Sequence, residues 1–444
     1  MKVAIIGSGI SGLAAAHAMH GQAEVTLFEA GSYFGGHTHT VDVSLPTPQG
    51  MLTHGVDTGF LVFNERTYPN FIALLEQLDV PRARSDMSFS VQVPRTPGGT
   101  MLAPGGTMLE WSGSNLNTVF AQRRNLLDRR FLRMLSDLLR FNALATTLAG
   151  QLGSHGNAAE LMQPPGNFLR FHAFSAEFRD WYLLPMIGSI WSCPADQMLQ
   201  FPVATMVRFC HNHCLLQVRD RPQWWTVAGG ARRYVDKIVA RIPDRRLRSR
   251  VMAIERDAAG VRVCTDGRSE RFDKLVLATH SDQALALLRE PTQAEQETLG
   301  AIRYQANRAV LHTDASVLPR SRGAWAAWNY EQGAGAASMQ VCLHYLINRL
   351  QPLPFAQPVL VSLNPQRAIE GRLVLGQYDY DHPVFDLPAV RAQAGVAQLQ
   401  GQRHTYFCGA WMGYGFHEDG LKAGMQAATA VLQDARRMPA RMAA

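Results

Sequence analysis

The sequence KVAIIGSGISGLAAAHAMHGQAEVTLFE, residues 2–29, decides the fold of this protein. Residues 2–6 form a short apolar run, which is typical of a strand buried in a parallel sheet. A glycine-rich turn follows, an alanine-rich stretch then predicts a helix, and residues 24–28 predict a second strand that ends before Glu29. This order predicts a strand–helix–strand unit of about 30 residues.

The spacing of the glycines makes the start of this helix a candidate nucleotide-binding turn. Gly7, Gly9 and Gly12 match the pattern GxGxxG. The first glycine allows the tight bend, the second lets the backbone approach a pyrophosphate, and the third lets the helix pack on the strand. The free N–H groups at the helix start, around Ile10 and Ser11, would face the phosphates. We therefore expect a Rossmann-type site.

An acidic residue follows the second strand at the spacing expected for ribose recognition. Glu29 lies 22 residues after Gly7, and a carboxylate there accepts hydrogen bonds from ribose hydroxyls. It would repel a 2′-phosphate, which disfavours NADP. A second glycine pair, Gly35 and Gly36, would let the chain pass close to an extended dinucleotide again. This arrangement favours FAD over NAD.

The length of 444 residues predicts two domains. Patterns typical of a nucleotide-binding domain recur in three separate parts of the chain. We assign residues 1–75, 220–300 and 395–444 to a discontinuous FAD-binding domain. Residues 76–219 and 301–394 are assigned to a substrate-binding domain of mixed sheet and helices. The predicted class is α/β, with an α+β character overall.

Further patterns predict individual elements. We expect helices at residues 67–78, 118–150, 168–190, 231–241 and 419–435, and a loop at 153–166. We expect strands at 248–255, 260–265, 272–280 and 405–411, and mostly strands over 301–385. The first two strands would form a β-ribbon through the turn DAAG. The apolar face of the 118–150 helix is expected to contain Leu127, Phe131, Met134, Leu135 and Leu138.

Four segments resemble the flavin-containing amine oxidase and phytoene desaturase superfamily. They are GGHTHT at 35–40, TVAGGARRYVDKI at 226–238, the pair Arg250 and Val251, and FCGAWMGYGFHEDGLKAGMQAA at 407–428. The resemblance implies an amine-oxidase-like fold, FAD as the cofactor, and a helix N-terminus beside the flavin pyrimidine. It adds as candidate FAD contacts Ala30, His37, Thr38, Gly59, Phe60, Val251, Gly409, Gly420 and Leu421. His37 stands where the family has an arginine, so His37 is a candidate by its position, and the phosphate or flavin contact of the arginine side chain is not implied.

A narrower resemblance covers nearly the whole chain. GFLVFNERTYPNF at 59–71, FCHNHCLLQ at 209–217 and GYGFHEDGLKAGM at 413–425 are similar to the flavin-type N-terminal region of plant cyclopropane fatty-acid synthases. They also resemble stand-alone bacterial flavoproteins found beside methyltransferases of that class, including the desaturase-like protein of furan fatty-acid synthesis. This resemblance implies a fatty-acyl or phospholipid substrate and a methyltransferase partner.

Two of these segments contain candidate catalytic groups. Flavin oxidation removes a hydride from substrate carbon, usually while a base takes a proton from a neighbouring atom. Histidine suits proton transfer because it titrates near neutral pH. The candidate bases are His211, His213, His417 and Glu418. For each histidine, polar packing between domains is an alternative role.

A metal site and an acyl tunnel are two further interpretations of the polar and aromatic residues. Two cysteines flank the histidines in CHNHC, residues 210–214, but they lack zinc-site spacing, so no metal is expected. The tryptophans would line an acyl tunnel or belong to the core. They are Trp224, Trp225, Trp325 and Trp328.

The scarcity of lysine bears on the class of substrate. The chain has four lysines, and none falls in the predicted substrate-binding domain: Lys2, Lys237, Lys274 and Lys422. Amine oxidases of the superfamily commonly hold a water near the flavin with a lysine of that domain. We therefore expect a desaturase acting on unsaturated or methylated fatty-acyl chains. The alternatives are a redox-neutral double-bond isomerase, a non-enzymatic flavin-bearing partner of a methyltransferase and, ranked last, an amine oxidase.

The basic character of the chain bears on its location. The net charge is +7 and is carried mainly by arginine. Arginine-rich codon usage explains this charge, or else attraction to an anionic partner such as phospholipid headgroups. The arginines of the 118–150 helix would lie on an anionic membrane or form a solvated face. No nucleic-acid motif, secretory signal or run of 18 apolar residues is found. We expect a cytoplasmic location. Attraction to phospholipid headgroups would add peripheral contact at the inner face of the membrane.

Overall fold

The computed structural model of the protein describes residues 1–95, 107–151, 161–191, 198–199, 201–217, 221–332 and 341–442. The strands are β1 Lys2–Ile6, β2 Glu24–Phe28, β3 Thr40–Thr47, β4 Gly50–Asp57, β5 Phe63–Asn64, β6 Arg82–Ser85, β7 Phe89–Pro94, β8 Met108–Ser112, β9 Trp224–Val227, β10 Asp244–Arg246, β11 Val251–Asp257, β12 Gly260–Thr265, β13 Arg268–Phe272, β14 Lys274–Leu277, β15 Tyr304–His312, β16 Trp328–Glu331, β17 Cys342–Leu346, β18 Leu360–Leu363, β19 Val374–Pro383 and β20 Thr405–Phe407.

The helices of the described residues are numbered in chain order, as the strands are. They are α1 Ile10–Ala18, α2 Pro69–Gln77, α3 Leu116–Val119, α4 Arg129–Gly150, α5 Pro165–Phe171, α6 Ala176–Phe178, α7 Leu184–Trp191, α8 Val203–Asn212, α9 Arg232–Val239, α10 Ser281–Leu287, α11 Gln293–Gly300, α12 Ile347–Leu350, α13 Leu387–Leu399 and α14 His417–Met442. A π-helical turn, Arg179–Leu183, joins α6 to α7. None of the described helices combines the length and the apolar character that crossing a bilayer requires.

A parallel sheet carries the nucleotide-binding turn. Its strand order is β10-β2-β1-β14-β20, and all four pairings are parallel. Helix α1 follows β1 directly, and Gly424 of α14 packs so closely on α1 that a Cβ there would lie 2.1 Å from the Ser11 carbonyl oxygen. The predicted Rossmann-type unit is confirmed. The strands come from residues 2–28, 244–277 and 405–407, and this explains why the nucleotide-binding patterns recur along the chain.

A second, mixed sheet has the order β19-β15-β18-β17-β16-β7-β8. All its pairings are antiparallel except the parallel pair of β16 with β7. Val91 on β7 and Trp111 on β8 belong to one buried cluster with Phe131 of α4, Phe178 of α6 and Phe209 of α8. Helices therefore cover this end of the sheet. The α/β class with a mixed second layer agrees with the prediction.

Small sheets connect the two layers. The ribbon predicted around residues 257–260 is present as β11 and β12, and β13 adds a third antiparallel strand. Strand β9 pairs with both β5 and β6. Because β6 (Arg82–Ser85) lies beyond residue 75, the expected domain boundary there crosses a sheet. The residue boundaries of the two domains stay a prediction.

The long helix expected at 118–150 is interrupted. The chain forms α3, a 3₁₀ turn at Arg123–Leu126 and then α4. Asp128 starts α4 because its side chain accepts hydrogen bonds from the N–H groups of Arg130 and Phe131. Leu127, expected on the buried face, precedes this helix and is 89% exposed. Phe131 and Met134 are buried as expected.

Other predicted elements differ at their ends. The helix expected at 168–190 consists of α5, α6, the π-helical turn and α7. The strands expected at 272–280 and 405–411 are shortened to β14 and β20, after which the chain turns into the site described below. Of the loop expected at 153–166, residues 153–160 lie outside the described residues, and α5 begins at Pro165.

Candidate functional site

A cavity of about 1020 Å³ has walls from both main sheets. The parallel sheet contributes the loop after β1, Glu29 after β2, and Thr279 after β14. The mixed sheet contributes Phe89 and Trp328. Ligand sites in open parallel sheets lie beyond the carboxyl ends of the strands, and this cavity begins at that edge.

The glycines of the first turn leave room where a ligand would pass. Gly7 has φ of 98°, and a Cβ there would lie 2.6 Å from the Ala278 carbonyl oxygen. A Cβ on Gly12 would lie 1.9 Å from the Gly7 carbonyl oxygen, so Gly12 serves helix packing and is not part of the cavity wall. Apart from the adjoining backbone, a Cβ on Gly9 would meet no atom of the described residues within 4 Å, and Gly9 lines the cavity. Ile10 and Ser11 line it as well.

Glu29 is held in place at the end of β2. Its Oε2 accepts hydrogen bonds from the Ser8 N–H at 3.0 Å and the Ser8 hydroxyl at 2.5 Å, and its Oε1 accepts one from the Gly31 N–H at 2.7 Å. Ala30 beside it and Val251 across the cavity belong to the same wall. This fixed carboxylate is suited to accept hydrogen bonds from ribose hydroxyls.

The second glycine pair brings the chain back to the first turn. The Gly35 N–H donates to the Ser8 carbonyl oxygen at 3.1 Å, and a Cβ on Gly36 would lie 3.1 Å from the Gly9 Cα. His37 and Thr38 follow on the cavity wall. Gly59 lies against His37, where a Cβ would approach the His37 carbonyl oxygen to 2.2 Å.

The N-terminus of α14 forms the next part of the wall. His417, the first residue of α14, lines the cavity together with Gly409 and Phe60. The His417 ring stacks on Phe60 with centroids 3.8 Å apart, and its Nε2 lies 2.8 Å from the Tyr234 hydroxyl. Gly420 and Leu421 do not line the cavity. Both residues belong to α14, and a Cβ on Gly420 would lie 2.7 Å from the side chain of Ile10 in α1.

These residues fit an extended dinucleotide with a flavin. The open side of Gly9, the fixed carboxylate of Glu29 and the start of a 26-residue helix are arranged along one cavity. A helix N-terminus carries partial positive charge, which favours a negative charge on a bound ring or phosphate. FAD when bound would lie along these groups and supply the hydride acceptor.

The predicted catalytic groups separate into two pairs. His213 and His417 line the cavity. Burial lowers the pKa of His213 to about 4 and that of His417 to about 3, so both rings are neutral near pH 7. His211 and Glu418 do not line it. Glu418 accepts hydrogen bonds from the N–H groups of Asn70 and Phe71 at the start of α2, so its carboxylate is engaged in capping that helix rather than exposed to a substrate.

The part of the cavity under the mixed sheet is strongly apolar. Its walls are Met87, Phe89, Met186, Ile190, Phe209, Leu215, Trp224, Trp328, Tyr345 and Phe416. Of the four tryptophans considered for an acyl tunnel, Trp224 and Trp328 line the cavity, whereas Trp225 and Trp325 do not. No lysine lines the cavity in the part of the chain that the structure describes.

The sequence analysis did not identify two histidines of the wall. His280 follows β14, and His382 lies near the end of β19. His280 could have been found, because side chains directly after buried parallel strands meet at the ligand edge of a sheet. Nothing in the sequence around His382 indicates that β19 ends at the same cavity.

Comparison with known proteins identifies the family. The sequence profile described as flavin containing amine oxidoreductase matches residues 10–342. No curated protein sequence matches the chain.

Solved structures share the fold over nearly full length. Cyclohexylamine oxidase from Brevibacterium oxydans IH-35A is 19% identical, with a TM-score of 0.66 and coverage of 98% of this chain and 99% of that chain. The CLA-producing fatty acid isomerase from P. acnes is 16% identical, with a TM-score of 0.62 and coverage of 96% and 97%. Putrescine oxidase bound to putrescine is 15% identical, with a TM-score of 0.66 and coverage of 98% and 99%. At these identities, the similarity shows the fold alone.

Proposed function

We propose that this protein, which belongs to the flavin-containing amine oxidoreductase family, oxidises unsaturated or methylated fatty-acyl chains of phospholipids. The protein is an FAD-dependent oxidoreductase, as its family indicates. What we propose is the class of its substrate. The observation that carries it is the apolar part of the cavity, whose walls have aromatic and aliphatic side chains and, among the described residues, no lysine.

The chemistry of the wall favours a hydrocarbon over an amine. The carboxylates of the cavity wall, Glu29 and Asp381, are not among the residues of the apolar part given above. A protonated amine that entered the apolar part would therefore lose its hydration without gaining a carboxylate partner there, which is costly. An acyl chain gains free energy there at roughly 25 cal/mol for each Å² of apolar surface removed from water. The walls would exclude water and orient the chain, and FAD when bound would supply the hydride acceptor.

The proton that leaves the neighbouring carbon needs an acceptor. His213 is the imidazole that lies among these aromatic rings, stacked on Phe209 with centroids 4.1 Å apart and 5.2 Å from the ring of Phe416. Its lowered pKa keeps the ring neutral, so a ring nitrogen has a free electron pair for a proton. We assign the base to His213. His417 is held by Tyr234 and positions the start of α14 instead.

A redox-neutral double-bond isomerase is the second candidate. The fatty acid isomerase from P. acnes shares this fold over 96% of the chain. Removal and return of a hydride at the same apolar site would need no second electron acceptor. The two functions therefore differ in whether the flavin stays reduced after one turnover.

A surface for lipid contact supports the same substrate class. We define the basic-apolar surface as a set of exposed residues between the start of the 3₁₀ turn and the middle of α4. They are Arg123, Arg124, Leu126, Leu127, Arg129, Leu132, Arg133, Leu139 and Arg140. Leu132, Arg133, Leu139 and Arg140 fall on the side of α4 that faces away from its buried residues Met134 and Phe141. Exposed leucines interspersed with arginines suit an anionic bilayer surface, and on this basis we propose a peripheral location at the membrane. A methyltransferase partner remains a proposal from the resemblance alone.

The test is an anaerobic visible spectrum of the FAD-loaded protein. Phospholipids with unsaturated or methylated chains are added, with saturated lipids of equal length and a primary alkyl amine as controls. Loss of the oxidised-flavin absorbance with unsaturated or methylated lipid alone supports the proposal. A persistent absorbance with a shifted double bond in the recovered lipid supports the isomerase. Bleaching by the amine alone, or no change in flavin or lipid, contradicts both.

A variant links the result to the apolar part of the cavity. Ile190→Trp fills this space, and we expect it to slow bleaching by lipid at least tenfold while the bound FAD per chain is unchanged. Leu375→Trp is the matched control, because Leu375 is 39% exposed and outside the cavity wall. Equal rates for the two variants would show that lipid reacts elsewhere.

A further inference from the structure

Three histidines from three separate segments face one another in the cavity wall. The ring centroid of His37 lies 5.6 Å from that of His382 and 6.4 Å from that of His280. We call this group the histidine cluster. It has no role in the hydride transfer or in the proton transfer proposed above.

Two members of the cluster directly follow residues that lie against the phosphate turn. His37 follows Gly36, which approaches Gly9 so closely that a Cβ would lie 3.1 Å from the Gly9 Cα. His280 follows Thr279, whose Cγ2 would lie 3.3 Å from a Cβ on Gly7. The cluster therefore lies beside the turn at which a helix N-terminus receives the pyrophosphate of a dinucleotide.

The polar atoms of the cluster are prepared for a ligand. Nε2 of His37 is shielded from solvent and has no hydrogen-bond partner among the residues that the structure describes. Asn307 donates its amide N–H to Nδ1 of His382 at 3.2 Å, and Asn364 fixes that amide by donating to the Asn307 Oδ1. The neutral His382 ring consequently keeps its proton on Nε2, where it can be donated. A buried, unpartnered imidazole is costly unless a ligand satisfies it.

We propose that the histidine cluster binds the pyrophosphate of FAD and that it takes up a proton when FAD binds. The family arginine would supply a permanent charge at the position of His37. The imidazoles replace it with a charge that appears only in the complex. The inference rests on FAD as the cofactor and not on the identity of the substrate.

The surroundings explain why the charge needs the ligand. Burial, together with a smaller effect of neighbouring imidazoles of the cluster, lowers the pKa of His37 to about 3 and that of His382 to about 4. Without an anion the rings are therefore neutral at pH 7. A pyrophosphate adds about two negative charges within a few ångströms, which raises the pKa of the nearest ring.

Other titratable and charged groups lie around the cluster. The rings of Tyr380 and Tyr304 lie against those of His37 and His280, and His39 contacts Tyr380. Asp381, Asp282 and His417 interact with the cluster electrostatically. Tyr304 stacks on His280, and Asp282 and Asp381 raise the pKa of His280 against the effect of burial. All of them are unchanged in variants of His37, so a comparison of such variants isolates the contribution of that ring.

The experiment measures FAD binding to the cofactor-free protein by quenching of flavin fluorescence from about pH 5.5 to about pH 8.5, the range in which histidine titrates. We expect the Kd of wild type to rise with pH, by up to about tenfold for each pH unit over which one proton is taken up. Riboflavin, which lacks the pyrophosphate, should show no such slope. ADP, which carries it, should compete more strongly at low pH.

Two variants of His37 give opposite expectations. His37→Arg restores a permanent charge, so FAD should bind at every pH about as tightly as it binds wild type at low pH. His37→Gln should bind weakly throughout and also lack the slope. His20→Gln, an exposed site at the end of α1, should behave as wild type. His382→Gln provides a second test should His37→Arg not fold.

Calorimetry in buffers of different ionisation enthalpy counts the protons directly. Uptake of a fraction of a proton or more on binding FAD to wild type, and none with His37→Arg, supports the proposal. A pH-independent Kd for FAD in wild type would overturn it. The same slope for riboflavin would also overturn it, because the cluster would then face the flavin ring. None of these outcomes depends on lipid oxidation.

Discussion

Glu418 at the start of α14 and Asn70 at the start of α2 are joined by two hydrogen bonds, from the Asn70 N–H at 3.1 Å and from its side-chain amide at 2.6 Å. The Phe71 N–H adds a third at 3.0 Å. A carboxylate that caps a helix lowers the free energy of its first, otherwise unpaired N–H groups. Glu418 therefore connects the N-terminus of α14 to the N-terminus of α2 and stabilises both of these helix ends.

For Glu418→Gln we expect a loss of about 1–3 kcal/mol in the free energy of unfolding, because a charged acceptor is replaced by a neutral one with half its accepting capacity. Urea unfolding of the FAD-loaded protein measures it. Flavin reduction by substrate in the folded variant should proceed within about twofold of wild type. A large loss of that rate without a loss of stability would restore a catalytic role to Glu418.

Replacement of Glu29 should weaken FAD binding. Glu29→Ala removes the acceptor held by Ser8 and Gly31, so we expect the Kd for FAD to rise about tenfold to a hundredfold, which is about 1.4–2.8 kcal/mol. Fluorescence quenching by the cofactor-free protein gives the Kd. Glu24→Ala, at the exposed first position of the same strand, is the control and should leave the Kd unchanged.

The His344 ring gives the stability of the fold a pH dependence. His344 is buried, with Nε2 at 2.7 Å from a Glu331 carboxylate oxygen and Nδ1 at 2.7 Å from the Ser362 hydroxyl. Burial lowers the pKa of His344, but Cys342 and Glu331 raise it more, to about 9 against an ordinary 6.5. Because the pKa is raised in the folded state, this contribution is fully present below pH 6.5 and is lost as the pH rises through about 9.

Unfolding of wild type and His344→Gln should therefore differ in a pH-dependent way. We expect wild type to be more stable by about 1–3 kcal/mol below pH 6.5, with the difference shrinking as the pH approaches 9. Urea unfolding at several pH values measures both proteins. His20→Gln, at an exposed position, should follow wild type. A constant difference over this range would show that His344 is neutral in the folded protein.

The basic-apolar surface should bind anionic vesicles. We expect the protein to co-sediment with phosphatidylglycerol-containing vesicles and not with pure phosphatidylcholine, with binding that weakens as salt screens the charges. The double change Arg129→Ser and Arg133→Ser should cost about 1 kcal/mol for each arginine, or about thirtyfold in partition coefficient.

Matched changes elsewhere separate this surface from the overall charge. Leu127→Asp should also reduce vesicle binding, because this side chain is 89% exposed on that surface. Arg391→Ser and Leu375→Asp change the same kinds of side chain at other exposed positions and should leave it intact. If all these variants bind vesicles equally, the surface is not the contact.

The sequence alone was sufficient for the nucleotide-binding part of the fold. The order strand, glycine turn, helix, strand and acid occupies 28 consecutive residues, and each step depends on local rules. The tight turn at Gly7 requires a glycine, and the apolar run of β1 requires burial on both faces. A prediction based on such short-range constraints identified FAD as the cofactor as well.

Hydrophobic patterns within a single element were less informative where a side chain accepts hydrogen bonds from backbone N–H groups. The helix expected over 118–150 was interrupted because Asp128 caps a new start, and the chain before it turned Leu127 outward. Glu418 was expected at the reaction, but its partners lie nearly 350 residues away in sequence. No spacing rule detects a contact of that range.

Only the tertiary structure brought the histidine cluster together. His37, His280 and His382 come from three segments, and their rings meet because β14 and the mixed sheet end at the same cavity. The sequence determined which groups could titrate and which turn could receive a phosphate. Whether an imidazole is neutral, capping or unpartnered depends on burial and on neighbours distant in sequence, so only the packed molecule decided it.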